Sequence, residues 1–143
     1  METSLRALGI DFGERRIGLA ISDPAGRLAL PLTTLERRSD RIAVAQIAEI
    51  AGREGVERLV VGEPVSLDGH RGAAADRVRR FAEKLAARTG LPLRFVGEAL
   101  TTVEARERLT AAGVDLRRQP ERIDALAAQI LLQEALDRPG GEP

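Results

Sequence analysis

The chain contains no cysteine, no tryptophan and no tyrosine, and its 143 residues include one histidine, His70, and one lysine, Lys84. Each absence removes a class of function. Without cysteine neither a disulfide framework nor a thiolate zinc site can form, and a lone histidine excludes an all-histidine metal centre. A metal bound by this chain is therefore a hard cation on oxygen ligands, such as Mg²⁺ or Mn²⁺. The only rings are Phe12, Phe81 and Phe95, which argues against a nucleic-acid binder that stacks bases on aromatic platforms. No apolar run approaches the roughly 18 residues a membrane helix needs, and the opening METSLRALG lacks the basic start and long apolar run of a secretory signal. These features predict a soluble, cytoplasmic protein with no membrane partner. The formal net charge is zero, so bulk electrostatics supplies no attraction for a polyanion.

What is present is aliphatic and arginine-rich. A hydrophobic fraction of 43% over this length predicts one domain with a single core, spanning residues 1–138 with a frayed tail at 139–143, working as a monomer or homodimer. The positive charge clusters as Arg15-Arg16, Arg37-Arg38 with Arg41, Arg77 with Arg79-Arg80, and Arg117-Arg118 with Arg122. Guanidinium forks suit phosphate. The alternative is a set of solvated, arginine-rich helix faces.

Hydrophobic periodicity orders the chain. Leu5–Phe12 is a short, near-continuous apolar run, predicting a strand buried on both faces. Arg16–Ser22 alternates, with Ile17, Leu19 and Ile21 on one side, and the brief Gly13-Glu14-Arg15 connection makes it an antiparallel hairpin partner. After the Asp23-Pro24-Ala25-Gly26 turn, Arg27–Leu35 gives a third strand, whose Pro31 belongs on an edge. Ser39 or Asp40 caps a helix over Arg41–Arg53, with Val44, Ile47, Ala48 and Ala51 on one face and Gly55 stopping it. A strand at Arg58–Gly62 follows, then a loop, a helix at Ala73–Arg88 with Val78, Phe81, Ala82 and Leu85 as its stripe, and a strand at Leu93–Val96. Thr101 and Glu104 form a capping box for a helix reaching about Ala112. Pro120 opens a last helix, with Ile123, Leu126, Ala127, Ile130 and Leu131 inward, that ends before Pro139. Right-handed crossovers then build an α/β fold: a mixed five-stranded sheet of order 3-2-1-4-5, strand 2 antiparallel, with helices on both faces.

That topology gathers acids. Ligands in open α/β sheets bind beyond the carboxyl ends of the parallel strands; Asp11 ends strand one, Glu98 follows strand five, and Asp124 joins them if the last helix crosses the sheet. Carboxylates converging in one cleft repel unless cations neutralise them, and two divalent ions about 4 Å apart are the arrangement such a cluster serves in phosphodiester hydrolysis. Each acid also has a structural explanation: Asp11 as a turn residue beside Gly13, Glu98 and Asp124 as acids near helix starts. Glu121, three residues before Asp124, is either a fourth ligand or a solvated first-turn acid. Asp23 is read as a turn residue and His70 as a surface residue in a Gly-flanked loop.

The residues also resemble a known family. Asp11–Ala20, DFGERRIGLA, resembles the DFG-x-[KR]-R-I-G-[VL]-A opening of the YqgF family, Holliday-junction resolvases also described as pre-16S rRNA nucleases. Val61–Gly69 resembles its G-x-P-x-x-x-D-G loop, Glu98–Ala105 its D-E-R-L-[ST]-T-x-E-A segment, and Ile123–Gln133 its [VI]-D-x-x-A-A-x-x-I-L-[LQ] helix. The four matches fall in order and cover almost the whole chain. The resemblance implies an RNase H-like fold and a metal-dependent nuclease whose catalytic, metal-holding acids are Asp11, Glu98 and Asp124, with Mg²⁺ or Mn²⁺. It favours structured RNA, in particular the 5′ end of precursor 16S ribosomal RNA and hence a ribosome precursor as partner, over branched DNA. Arg15, Arg16, Thr101, Thr102, Arg117 and Arg118 are the candidate nucleic-acid contacts. Three positions depart from the pattern: Gly97 and Ala99 replace the acid and arginine flanking the central Glu, and Glu63 stands where the family carries an apolar residue, near enough to the cleft to be an additional ligand. The departures at Gly97 and Ala99 leave room for a second reading, a nucleic-acid-binding module without activity. A third, an actin-like ATPase opened by D-x-G, needs a second domain and a phosphate loop that this chain does not contain.

Overall fold

The computed structural model describes residues 6–64, 72–97 and 101–138, without the side chains of Thr101 and Thr102. The start of strand one at Leu5, the Asp68-Gly69 turn, His70, Glu98, Ala99 and the tail at 139–143 lie outside the described residues.

Nine elements follow one another: β1 (Ala7–Phe12), β2 (Arg16–Ser22), β3 (Ala29–Glu36), α1 (Asp40–Glu54), β4 (Arg58–Glu63), α2 (Ala73–Thr89), β5 (Leu93–Gly97), α3 (Thr101–Ala111) and α4 (Glu121–Asp137). The strands form one sheet in the order β3-β2-β1-β4-β5. β1 pairs antiparallel with β2 and parallel with β4, β2 pairs antiparallel with β3, and β4 pairs parallel with β5. The expected order and the reversed sense of strand 2 are both present. β1, buried at every position, is the middle strand.

Local chemistry sets the boundaries. Ser39 is the N-cap of α1, its hydroxyl accepting from the Ile42 N–H at 3.2 Å, and Gly55 closes that helix in the left-handed region at φ 70°. β3 starts two residues later than the apolar pattern suggests. One oxygen of the Asp23 carboxylate accepts from the Arg27 and Leu28 N–H groups at 2.8 and 3.1 Å, and the turn thereby takes donors that a ladder would need. Those bonds, Leu28 first, hold the Asp23 carboxyl below its ordinary range.

Strand alternation divides the sheet into two faces. Leu8, Ile10 and Phe12, with Ile17, Leu19, Ile21, Leu59 and Val61, pack under α1 and α2 against Val44, Ile47, Val78, Phe81 and Leu85. On the other face Ala7, Ala20 and Val60 meet Ala128, Leu131, Leu132 and Ala135 of α4. Small residues on this second face let the helix come close: a Cβ on Gly9 would lie 2.8 Å from the Leu132 Cβ. α4 in turn carries α3, with Ala105 and Leu109 against Ile123, Ala127 and Ile130. Its buried arc is therefore wider than the expected stripe and takes in Ala128, Leu132, Ala135 and Leu136, while Leu126 is half-buried. Two glutamines one turn apart fasten α4 to the edge strand, Gln133 accepting from the Ala29 N–H at 2.8 Å and Gln129 donating to the Ala29 carbonyl at 2.9 Å. Arg94 of β5 donates to the carbonyls of Ala135 and Arg138 at 3.1 and 3.0 Å, satisfying the open end of the same helix. Among the described residues no helix is long and apolar enough to cross a membrane.

Candidate active site at the carboxyl edge of the sheet

Asp11 sits on the middle strand and is 9% exposed, a carboxylate held by a rigid element at the end of the sheet where α4 begins. Its antiparallel partner is Gly18. Directly paired residues project to the same face, so Asp11 and the bare Cα of Gly18 both look towards α4. A Cβ on Gly18 would stand 2.0 Å from the carbonyl oxygen of Asp124 and 3.0 Å from the Ala125 nitrogen. The opening turn of α4 thus rests on β2 backbone, and only glycine leaves space for it. The contact sets the main chain of Asp124 against the strand pair that carries Asp11. Asp124 lies in the first turn of its helix, where the macrodipole favours a negative charge.

Arg16 completes the described part of the cluster. Its Nε donates to Asp124 Oδ2 at 2.6 Å, with the two side chains 36% and 21% exposed. The hairpin turn that supplies Arg16 is tightly closed. The Gly13 N–H donates to the Arg16 carbonyl at 2.9 Å, and the Arg37 N–H donates to the carbonyl of Arg15 at 2.8 Å. Arg37 also places its guanidinium 4.6 Å from the centre of the Phe12 ring and donates to the Glu14 carbonyl at 3.1 Å, while Phe12 stacks on Phe81 at 4.3 Å. Arg37 was one of several clustered arginines in the sequence; here it clamps the turn that follows Asp11.

Other candidates separate from the cluster. Glu63 shares the side of β4 that carries Leu59 and Val61, so it faces α2 and not α4. There Arg79 binds it through both carboxylate oxygens, a bond that raises the Arg79 pKa, and Arg79 lies 4.2 Å over the Phe95 ring. Glu63 is thus engaged on the opposite face from Asp11. Glu121 is exposed, its carbonyl accepting from the Thr34 hydroxyl at 2.8 Å. Arg15, Arg117 and Arg118 are exposed, Arg15 in the turn after Asp11 and the other two in the loop leading to α4. Gly97 ends β5 opposite Glu63; Glu98 lies outside the described residues, as do the Thr101 and Thr102 side chains. A cleft of about 720 Å³ lined by Ala45, Glu49, Gly52, Arg88 and Thr89 opens between α1 and α2 and contains none of the candidate acids.

Among the described residues there is no group of three potential metal ligands. The donor chemistry nevertheless fits one kind of cation. Asp11 and Asp124 offer carboxylate oxygens on one face with no thiol anywhere in the chain, a set suited to Mg²⁺ or Mn²⁺ and unsuited to zinc.

A five-stranded 3-2-1-4-5 sheet with an acid on its middle strand and a second acid brought to it by the last helix defines an RNase H-like fold. Among solved structures it superposes on Thermus thermophilus RuvC in complex with a Holliday junction substrate with a TM-score of 0.62, at 19% identity and 96% coverage of each chain. The Fowlpox virus resolvase in complex with Holliday junction DNA gives 0.59 at 8% identity, covering 95% of this chain and 99% of that one. The family model described as "RuvX: Holliday junction resolvase" matches residues 5–138, and the chain belongs to that family. Among curated relatives, a protein of Chloroflexus aggregans named "Putative pre-16S rRNA nuclease" is 45% identical over 130 residues, 91% of this chain and 92% of that one. A Moorella thermoacetica protein of the same name is 45% identical over 136 residues, 95% and 97% of the two chains.

Proposed function

We propose that this protein is a cytoplasmic, divalent-metal-dependent nuclease that hydrolyses phosphodiesters at the 5′ end of precursor 16S ribosomal RNA. The observation that supports the reading is the contact of the Asp124 main chain with Gly18, the strand partner of Asp11. Family membership supports a nuclease, and the names of the 45%-identical relatives favour ribosomal RNA.

In this reading Asp11 and Asp124, completed by Glu98, hold Mg²⁺ or Mn²⁺. A cation held there would supply Lewis-acid chemistry, activating a water and offsetting charge on the 3′ oxygen that leaves. The rest falls to the chain. Asp11 is fixed by the central strand, and its near-burial limits the water that would otherwise screen it. Arg16 balances Asp124. Exposed Arg15 at the hairpin turn and Arg117 and Arg118 before α4 are placed to meet the backbone of the substrate, and Thr101 and Thr102 at the start of α3 add hydroxyls.

The test is a 5′-extended precursor 16S rRNA fragment and a four-way DNA junction, each end-labelled and incubated with the protein in Mg²⁺, Mn²⁺ or chelator. The reading expects cation-dependent cleavage of the RNA to 5′-phosphate products. Preferential cleavage of the junction would move the substrate to branched DNA. Binding of either without cleavage in every condition would overturn the enzyme.

A further inference from the structure

Two arginines bind carboxylates near the carboxyl edge of the sheet, one on each face, and they do so differently. Arg79 grips both oxygens of Glu63 and is roofed by Phe95, which fixes it. Arg16 touches one oxygen of Asp124 through one nitrogen; the two arginine side chains are about equally exposed, 36% and 33%, so the difference lies in the bonding. The main chain of Arg16 cannot follow a movement, because the Arg16 carbonyl accepts from Gly13 and the residue pairs with Glu36 in the ladder. Asp124 is equally anchored, its backbone seated on Gly18. With both main chains held, any change of partner at this pair falls to the two side chains, which one bond joins.

We propose that Arg16 is a positioning residue that exchanges partners: it holds Asp124 while the carboxylate has no cation, and turns to a substrate phosphate once the carboxylate is taken by one. This deepens the metal-dependent nuclease reading and rests on it. Arg16 takes one of the carboxylate's acceptor sites and sets a positive charge against it, and that charge repels a divalent ion approaching the same group, so the guanidinium and the cation compete for Asp124. Release leaves a full positive charge beside the site with a fork matched to a phosphate. Cation binding and phosphate binding are thereby coupled through one side chain, and by linkage each strengthens the other.

The experiment measures Mn²⁺ binding without nucleic acid, by electron paramagnetic resonance of the free ion, in wild type, Arg16→Met, Arg16→Lys and Asp124→Asn. Alongside it, Mg²⁺ is titrated into ¹⁵N-arginine-labelled wild type, with the Arg16 Nε–H signal assigned by its loss in Arg16→Lys. Filter binding of end-labelled structured RNA in chelator and in Ca²⁺ completes the set, and thermal melting confirms that each variant is folded. Removing the competitor is expected to tighten Mn²⁺ binding by Arg16→Met about threefold or more, in line with the strength of a half-exposed pair. Mg²⁺ is expected to shift the Arg16 Nε–H signal, and the gain in RNA affinity on adding Ca²⁺ is expected to disappear in Arg16→Met and return in Arg16→Lys. Unchanged Mn²⁺ affinity in Arg16→Met together with an Nε–H signal indifferent to Mg²⁺ would overturn the exchange while leaving the metal site intact. Equal Mn²⁺ affinity in wild type and Asp124→Asn would remove Asp124 from the metal site and overturn both.

Discussion

Gly18→Ala isolates the contact on which the site depends. The added Cβ would lie 2.0 Å from the Asp124 carbonyl oxygen and 2.3 Å from its carbon; both are backbone atoms, so no side-chain rotation relieves the clash. Restoring a tolerable separation of roughly 3 Å requires the opening turn of α4 to retreat by about 1 Å, with Asp124 carried along. Overpacking of this kind costs about 1–3 kcal/mol. A displacement of about 1 Å at a catalytic group costs on the order of 100-fold in rate. Urea unfolding reads the first quantity and Mn²⁺-dependent RNA cleavage the second. Gly52→Ala is the control: it lies within α1 with nothing near its Cβ position and is expected to gain about 0.5–1 kcal/mol from helix propensity. A Gly18→Ala protein as stable and as active as wild type would refute the close approach of α4 to β2.

Further outcomes follow from the same geometry. Arg94→Ala removes two charge-assisted bonds to the last carbonyls of α4 and is expected to cost about 1–2 kcal/mol in urea unfolding with the cation requirement unchanged; an unaltered unfolding midpoint would contradict that role. Glu63→Gln weakens its bond to Arg79 on the face opposite Asp11 and should lower stability by about 1 kcal/mol while leaving the Mn²⁺ concentration for half-maximal cleavage as in wild type. A raised Mn²⁺ requirement would return Glu63 to the metal site. Asp23→Asn is expected to destabilise at neutral pH. The folded-state pKa of Asp23 is depressed, so its contribution is present above the unfolded carboxylate range and lost as pH falls through the folded value. The wild-type advantage in urea should therefore shrink on going from pH 7 to pH 3, and a constant difference would show that the carboxylate charge is not what the turn uses.

The sheet order was legible because its signals are local. Two alternating or continuous apolar runs around a three-residue connection gave the hairpin, and helix periods between short apolar runs gave parallel crossovers with one handedness. Boundaries drifted where side chains took backbone donors, as Asp23 does at the start of β3. Site pairings were less legible. Arg16 and Asp124 are 108 residues apart, and no local pattern links them. A signal did exist in Gly18, a glycine inside an alternating strand, which marks a place where another backbone approaches closely. Nearness to a strand end says nothing about face, and alternation counted from Leu59 and Val61 turns Glu63 towards α2, where Arg79 binds it. Arg94 could not be told apart from a solvated arginine, since its partners are main-chain carbonyls that any sequence supplies, and the ring under Arg37 belongs to Phe12, 25 residues away in the chain.

The central claim, that Asp11 holds a catalytic cation on the middle strand, is tested most directly by cleavage of the end-labelled precursor rRNA fragment by Asp11→Asn beside wild type, in Mn²⁺ and in chelator. The substitution keeps the shape of the side chain and removes its charge. The account predicts that wild type cleaves only with Mn²⁺ and that Asp11→Asn, folded to the same melting profile, does not cleave. Cleavage by the variant at the wild-type rate, or by wild type in chelator, would contradict it.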